Sequence, residues 1–366
     1  RRARAGERLM MRFVRSPWVR MAFVVLTAAV VVALLWWRGP SWSDVASAFT
    51  VVSWSWVLVA IGLNLLSVVS RAIAWKVVID QALTPPTPSY RLVFAAFSVG
   101  LFANAVLPGR IGELARVAVL TRKLPQRRGT WATLVGTVFA HRVFDLVPVL
   151  LLIVYVLLTA KIPHWAVSSL AAFVAVGVAL LAFSIAVARH QKRSALDELG
   201  AVRRVVAMAR QGLSVMRSPL GAATAILFQC IGWTCQLLAV WAASAAFHLH
   251  VPIEAAALVL VLMNVATIFP LWPGNVGLLQ IAIAVPLRRY GVGYALGIAF
   301  GIGLQAIEAS VGIGVGLLFL AGEGLSFAML RVMPDASQAA MTDEETDEGA
   351  LGADEPQGGF VGERSG

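Results

Sequence analysis

Pro108-Gly109-Arg110-Ile111-Gly112-Glu113-Leu114 nearly returns 165 residues later, as Pro273-Gly274-Asn275-Val276-Gly277-Leu278-Leu279. Each copy interrupts an apolar run at the same relative place. Pro and Gly break a helix, and broken backbone at membrane depth is tolerated only where protein or a water-filled cavity covers it. Paired breaks in the two halves of a membrane protein point to a transporter's binding site. This pair of breaks therefore sets the expected fold: an all-α polytopic membrane protein with an internal repeat.

The composition agrees. Of 366 residues, 59% are hydrophobic and 13% charged, and the mean hydropathy is +0.80, leaving no room for a sizeable soluble domain. Apolar runs long enough to span a bilayer are expected at 19–37, 54–79, 130–159, 165–188, 220–246 and 294–321. Between them, 92–124 and 255–287 are two runs split by Pro-Gly, each too short on either side of the break to cross. We read about six full spans plus two re-entrant helical hairpins. The apolar surroundings of Cys230 and Cys235 mark them as small buried hydrophobes rather than a disulfide or metal pair.

The net charge of +11 conceals a division. Residues 335–366 carry nine acidic side chains and one Arg, hence −8, so the remainder carries +19. That acidic tail lacks the apolar surface needed to fold and is expected to be disordered. A basic body on a membrane protein implies cytoplasmic loops beside anionic headgroups rather than nucleic acid. The positive-inside rule is met best if the basic N-terminus (1–18), the RKLPQRR segment at 122–128 and the basic loop 189–219 all face the cytoplasm. The stretches 38–53 and 160–164 then lie outside, and the C-terminus lies inside. The loop 189–219 has the three- and four-residue apolar spacing of an amphipathic surface helix; a soluble linker helix fits it equally. Three full spans separate the hairpins, and an odd number reverses direction. The two hairpins then enter from opposite sides, an inverted repeat suited to alternating access.

Several residues carry a family resemblance. Asn104-Ala105-Val106-Leu107-Pro108-Gly109-Arg110-Ile111-Gly112-Glu113-Leu114-Ala115-Arg116 resembles the signature of the lysylphosphatidylglycerol synthase transmembrane-region, or flippase-like domain, family. Arg71-Ala72-Ile73-Ala74-Trp75, Arg142-Val143-Phe144-Asp145 and the Pro270-x-x-Pro273-Gly274-x-x-Gly277 segment are similar to further motifs. The resemblance covers roughly 20–322. It implies movement of lipids across the bilayer of the bacterial inner membrane. It concerns the membrane half only, so it does not imply lipid aminoacylation. Gln280 stands where the family more often carries an acid, and His141 where Glu is common.

The candidate site follows from charge inside an apolar chain. A helix begins after each Pro-Gly break with unpaired N–H groups, which suit a lipid phosphate. Arg71, Arg110, Arg116 and Arg142 are candidate headgroup ligands, with Asn104, Pro108, Gly109, Gly112, Pro273, Gly274, Gly277 and Gln280 shaping the site. Glu113, His141, Asp145 and Glu308 are candidates for charge balance or proton coupling. Glu113–Arg116 and Arg142–Asp145 have the i,i+3 spacing of helical ion pairs. Each of these charges is costly at a helix centre, so none should face lipid. Simple pairing and transport chemistry both fit that pattern, and His141 fits a packing role as well as a titrating one. With no Walker loop, nucleophile elbow or HExxH pair in the chain, we expect no enzyme activity, cofactor or metal. The expected partners are membrane lipids with anionic headgroups. A membrane-embedded lipid transferase and a scaffold for envelope-biosynthesis proteins are the competing readings.

Overall fold

A computed structural model describes residues 41–106, 111–124, 130–162, 164–189, 218–267 and 275–322. The expected span at 19–37, the basic N-terminus 1–18, most of the loop 189–219 and the tail 335–366 lie outside the described residues, as do Pro108, Gly109, Arg110, Pro273 and Gly274.

All regular structure among the described residues is helical. The elements are α1 (Trp42–Thr50), α2 (Trp54–Ala82), α3 (Tyr90–Val106), α4 (Gly112–Lys123), α5 (Thr130–Thr159), α6 (His164–Arg189), α7 (Pro219–Ala246), α8 (Ile253–Ala266), α9 (Leu278–Leu287) and α10 (Tyr294–Gly322), with a 3₁₀ turn at Arg288–Tyr290. Four of them, α2, α5, α7 and α10, are long and apolar enough to cross a membrane, and α6 carries a shorter apolar stretch at Leu170–Ala182. Within each of the four, 28–44% of the most apolar window is buried inside the protein. The rest is apolar and outward, with Leu58, Leu151, Leu158, Leu220 and Leu318 among the most exposed side chains. A helix that is apolar on all sides is the mark of a membrane span. The chain is a multi-pass membrane protein.

Helices start where local chemistry supplies the missing partners. The Ser218 side chain accepts from the Gly221 N–H at 3.2 Å, with Pro219 at the first helical position of α7. α9 needs a left-handed backbone before it: Asn275 has φ 45° and Gly277 φ 92°, the latter affordable only for glycine. Two expectations need adjusting. The stretch 38–53, expected to be an external loop, holds a helix, because α1 folds at Trp42–Thr50 and lies against the start of α10. The first leg of the second broken unit stops at Ala266 rather than 271. There Asn264 and Thr267 turn their side chains onto the carbonyls of Leu260 and Asn264, at 2.8 Å each, in competition with a further helical turn.

The centre of the fold is the pairing of α2 with α7. They run antiparallel: the Ser53 N–H donates to the Ala246 carbonyl at 2.9 Å, Trp56 meets Trp241 edge-on at 6.0 Å, and Gln81 packs beside Gly221. Midway, a Cβ on Gly232 would stand 3.3 Å from the Ser67 carbonyl oxygen, and Arg71 donates to Gln236 at 2.6 Å. Both contacts join residues 165 apart, the shift of the sequence repeat. α5 runs parallel to α7, since His141 meets Gln229 and Asp145 meets Trp233 in one register.

The remaining helices pack around this pair. α3 and α4 fold back on one another, with Gly112 against Gly100 and the Gly112 N–H donating to Asn104 Oδ1 at 2.9 Å. α9 lies antiparallel on α10, with Ala284 beside Gly297 and Gln280 beside Gly301. Glycines at such contacts let backbones approach closely, which is how membrane helices gain packing energy where burial from water is absent. One apolar cluster gathers Trp75, Phe97, Phe102, Leu120 and Leu134 around the first half, and another gathers Phe247, Leu260, Ile283 and Phe300 around the second.

Candidate functional site

Charged and amide side chains converge where α4, α5, α7, α2 and α10 meet. α4 presents Glu113 and Arg116, three residues apart on one face, and they form an ion pair. Arg116 is nearly sealed, its side chain 4% exposed. Its guanidinium lies 4.6 Å from the centre of the Trp75 ring and 5.5 Å from that of Phe97. Trp75 is held in turn by donating its indole N–H to Thr137 Oγ1 at 3.2 Å. Stacking of this kind stabilises a desolvated cation without a second carboxylate.

Glu113 also pairs with Arg142 on α5. Arg142 reaches Asp145, one turn along its own helix, at 3.1 Å. The other Asp145 oxygen accepts the Trp233 indole N–H at 3.0 Å. The face of the Trp233 ring carries the Arg71 guanidinium, 4.8 Å from its centre. Arg71 donates to Gln236 Oε1, and Gln236 Nε2 donates to Glu308 at 3.4 Å. The result is one continuous chain, Arg116–Glu113–Arg142–Asp145–Trp233–Arg71–Gln236–Glu308, holding three Arg and three carboxylates. That balance offsets the cost of desolvating each charge.

His141 stands apart from this chain. It is buried, edge-on to Phe97 at 6.0 Å, with the Gln229 amide nitrogen 3.3 Å from its ring Nε2. In the second half, Gln280 is central. Its Oε1 accepts from the Gly277 N–H at 2.5 Å, closing the turn, and its Nε2 donates to Gln305 Oε1 on α10 at 2.6 Å. Asn104 closes the corresponding turn before α4 through Gly112.

The structure thus brings Arg71, Glu113, Arg116, Arg142, Asp145 and Glu308 together. It places Asn104 and Gln280 at the two turns and His141 in a neighbouring packed position. Trp75, Thr137, Gln229, Trp233 and Gln236 are participants that sequence reasoning passed over. For Gln236 a signal existed: it lies 165 residues after Arg71, so the repeat marks the two as equivalent positions, though not as neighbours.

An all-helical, multi-pass membrane protein with a charge-balanced polar chain through its helices is the class this fold and site define. A family model for the lysylphosphatidylglycerol synthase TM region matches residues 21–316, and the chain belongs to that family. The family ties the protein to lipid metabolism or transport. No curated protein and no solved structure matches the chain.

Proposed function

We propose that this protein is a lipid transporter that moves an anionic phospholipid or polyprenol-linked lipid across the bacterial cytoplasmic membrane. The headgroup is bound between two re-entrant hairpins of an inverted repeat, and the acyl chains stay in the bilayer. One observation carries this reading: α2 and α7 cross antiparallel with Ser67 against Gly232 and Arg71 against Gln236, each pair 165 residues apart. A two-fold axis is where a residue meets its own counterpart. Because the helices on that axis are antiparallel, the axis lies in the membrane plane and the halves are inverted, the architecture of many transporters.

The re-entrant reading rests on helix direction. α2 ends on the side where α5 and α7 begin, so α3 and α4, which connect α2 to α5, leave and return on one side. α8 and α9 connect the end of α7 to the start of α10, which lies by α1 at the start of α2, on the opposite side. The side carrying Arg122, Lys123 and the basic segments 122–128 and 189–219 is the cytoplasm by the positive-inside rule. Both termini then face the cytoplasm. Arg71, Arg110 and Arg142 take the phosphate, Glu113, Asp145 and Glu308 balance charge, and the protein does no covalent chemistry on the lipid.

Two measurements test this. Single cysteines at Lys123 and Arg289, with Cys230 and Cys235 replaced by Ser, are expected to label from opposite faces of inside-out and right-side-out vesicles. Labelling from the same face overturns the inverted hairpins. Purified protein in liposomes is expected to accelerate transbilayer movement of a fluorescent anionic lipid, and Arg110→Ala to slow it by roughly tenfold, the scale of one charge-assisted phosphate contact. Movement no faster than in protein-free liposomes, across several lipid classes, overturns transport.

A further inference from the structure

The two halves share a backbone plan, yet the contacts that hold each hairpin to the span after it are chemically unlike. In the first half α4 is tied to α5 by Glu113–Arg142, with Asp145 as a second carboxylate. In the second half α9 is tied to α10 by Gln280–Gln305 at 2.6 Å. Shifted back by 165, Gln280 and Gln305 correspond to Ala115 and Ala140. Each lies two residues from its charged analogue, in opposite directions along antiparallel helices, so the two ties keep one cross-helix register but are displaced by about 3 Å along the helix axes. The true counterparts of Glu113, Arg142 and Asp145 are Leu278, Ile307 and Ser310, none of them charged.

We propose that these ties are two different latches, and that only the first, Glu113–Arg142, is released by a phosphate-bearing anion. The proposal rests on the transporter reading and adds to it a chemical trigger and a direction. Arg142 is the accessible cation of the chain, its side chain 53% exposed against 4% for Arg116. A lipid phosphodiester offers a guanidinium the same two-pronged, singly charged acceptor as a carboxylate. Release is cheap because neither carboxylate is orphaned. When Arg142 turns to the phosphate, Glu113 keeps Arg116 and Asp145 keeps the Trp233 indole N–H. Leaving a buried charge unpaired is the step that ordinarily prevents such an exchange. The amide latch has no net charge and offers an anion no ion pair to displace. An anionic headgroup therefore opens the first hairpin, while the second opens independently of headgroup charge, so loading is charge-selective on the first side and release on the other is not.

Hydrogen–deuterium exchange on the full chain in nanodiscs reads this directly. Replacing part of a phosphatidylcholine bilayer with phosphatidylglycerol is expected to speed exchange of the α4 amides by about tenfold, the scale of losing one charge-assisted hydrogen bond, and to leave α9 unchanged. Equal acceleration in both hairpins, or none in α4, overturns the proposal. Inorganic phosphate and glycerol phosphate, added to phosphatidylcholine nanodiscs, separate the sources. A response to either means the latch reads the phosphate alone, and a response only to phosphatidylglycerol means that it reads the lipid; both support release. Arg142→Gln is expected to abolish the response of α4 to phosphatidylglycerol, and a folded variant that still responds overturns the proposal. If α4 responds while no lipid crosses the bilayer in liposomes, the latch stands and the transporter reading falls.

Discussion

Glu113→Ala is expected to cost about 3–5 kcal/mol of stability, the range for removing one partner of a buried ion pair. The variant should elute as aggregate after mild heating in detergent, where the wild type stays monodisperse. The cost comes from what is left behind. Arg116 is sealed between Trp75, Phe97 and α3, and Glu113 is the carboxylate paired with it. Arg142→Ala should cost clearly less, since Arg142 is half-exposed and its two carboxylates retain other partners. Replacing both members, as Glu113→Leu/Arg116→Met, should recover most of the loss, because apolar residues of similar volume substitute well for a buried pair. A double variant no more stable than Glu113→Ala alone shows that the pair is not the source of the effect.

Gly112→Val is expected to prevent the first hairpin from closing. A Cβ at this position falls 2.0 Å from the Gly100 carbonyl oxygen and 2.6 Å from the Asn104 side chain. The obstacle at Gly100 is backbone, so no rotamer change relieves it, and separating α3 from α4 also breaks the Asn104 bond to the Gly112 N–H. Overpacking of this kind costs about 1–3 kcal/mol or more, and the lost Asn104 hydrogen bond about 1 kcal/mol. Expression as a monodisperse species should fall sharply. Gly312→Ala is the matched control: nothing lies within 4 Å of its added Cβ and the residue is mid-helix, so its unfolding midpoint should hold or rise. A Gly112→Val protein as stable as the Gly312→Ala control excludes the tight hairpin.

Much of this architecture was legible before any coordinates. Apolar runs of bilayer length located α2, α5, α7 and α10, because lipid leaves a spanning chain little choice but to form a helix. The Pro-Gly repeat marked the intervals between α3 and α4 and between α8 and α9, and the i,i+3 spacing located the Glu113–Arg116 and Arg142–Asp145 pairs. α1 was not legible, since its nine residues mix Trp, Ser and Asp without a long apolar run and it is held by the start of α10. The early end of α8 was missed for a similar reason: apolar residues continue past Ala266, while side-chain hydrogen bonds from Asn264 and Thr267 stop the helix.

Sequence by itself determined that the chain lives in a membrane, where its helices break, and which positions of the two halves correspond, because hydropathy, helix-breaking chemistry and a 165-residue shift are all properties of the chain read along its length. The tertiary structure alone decided who pairs with whom. Arg71 with Gln236, Glu113 with Arg142 and Asp145 with Trp233 are separated by 165, 29 and 88 residues. Inside a bilayer a charge must find a partner, and for partners on different helices only the packing of α2 on α7, and of each hairpin on its neighbouring span, brings them within reach.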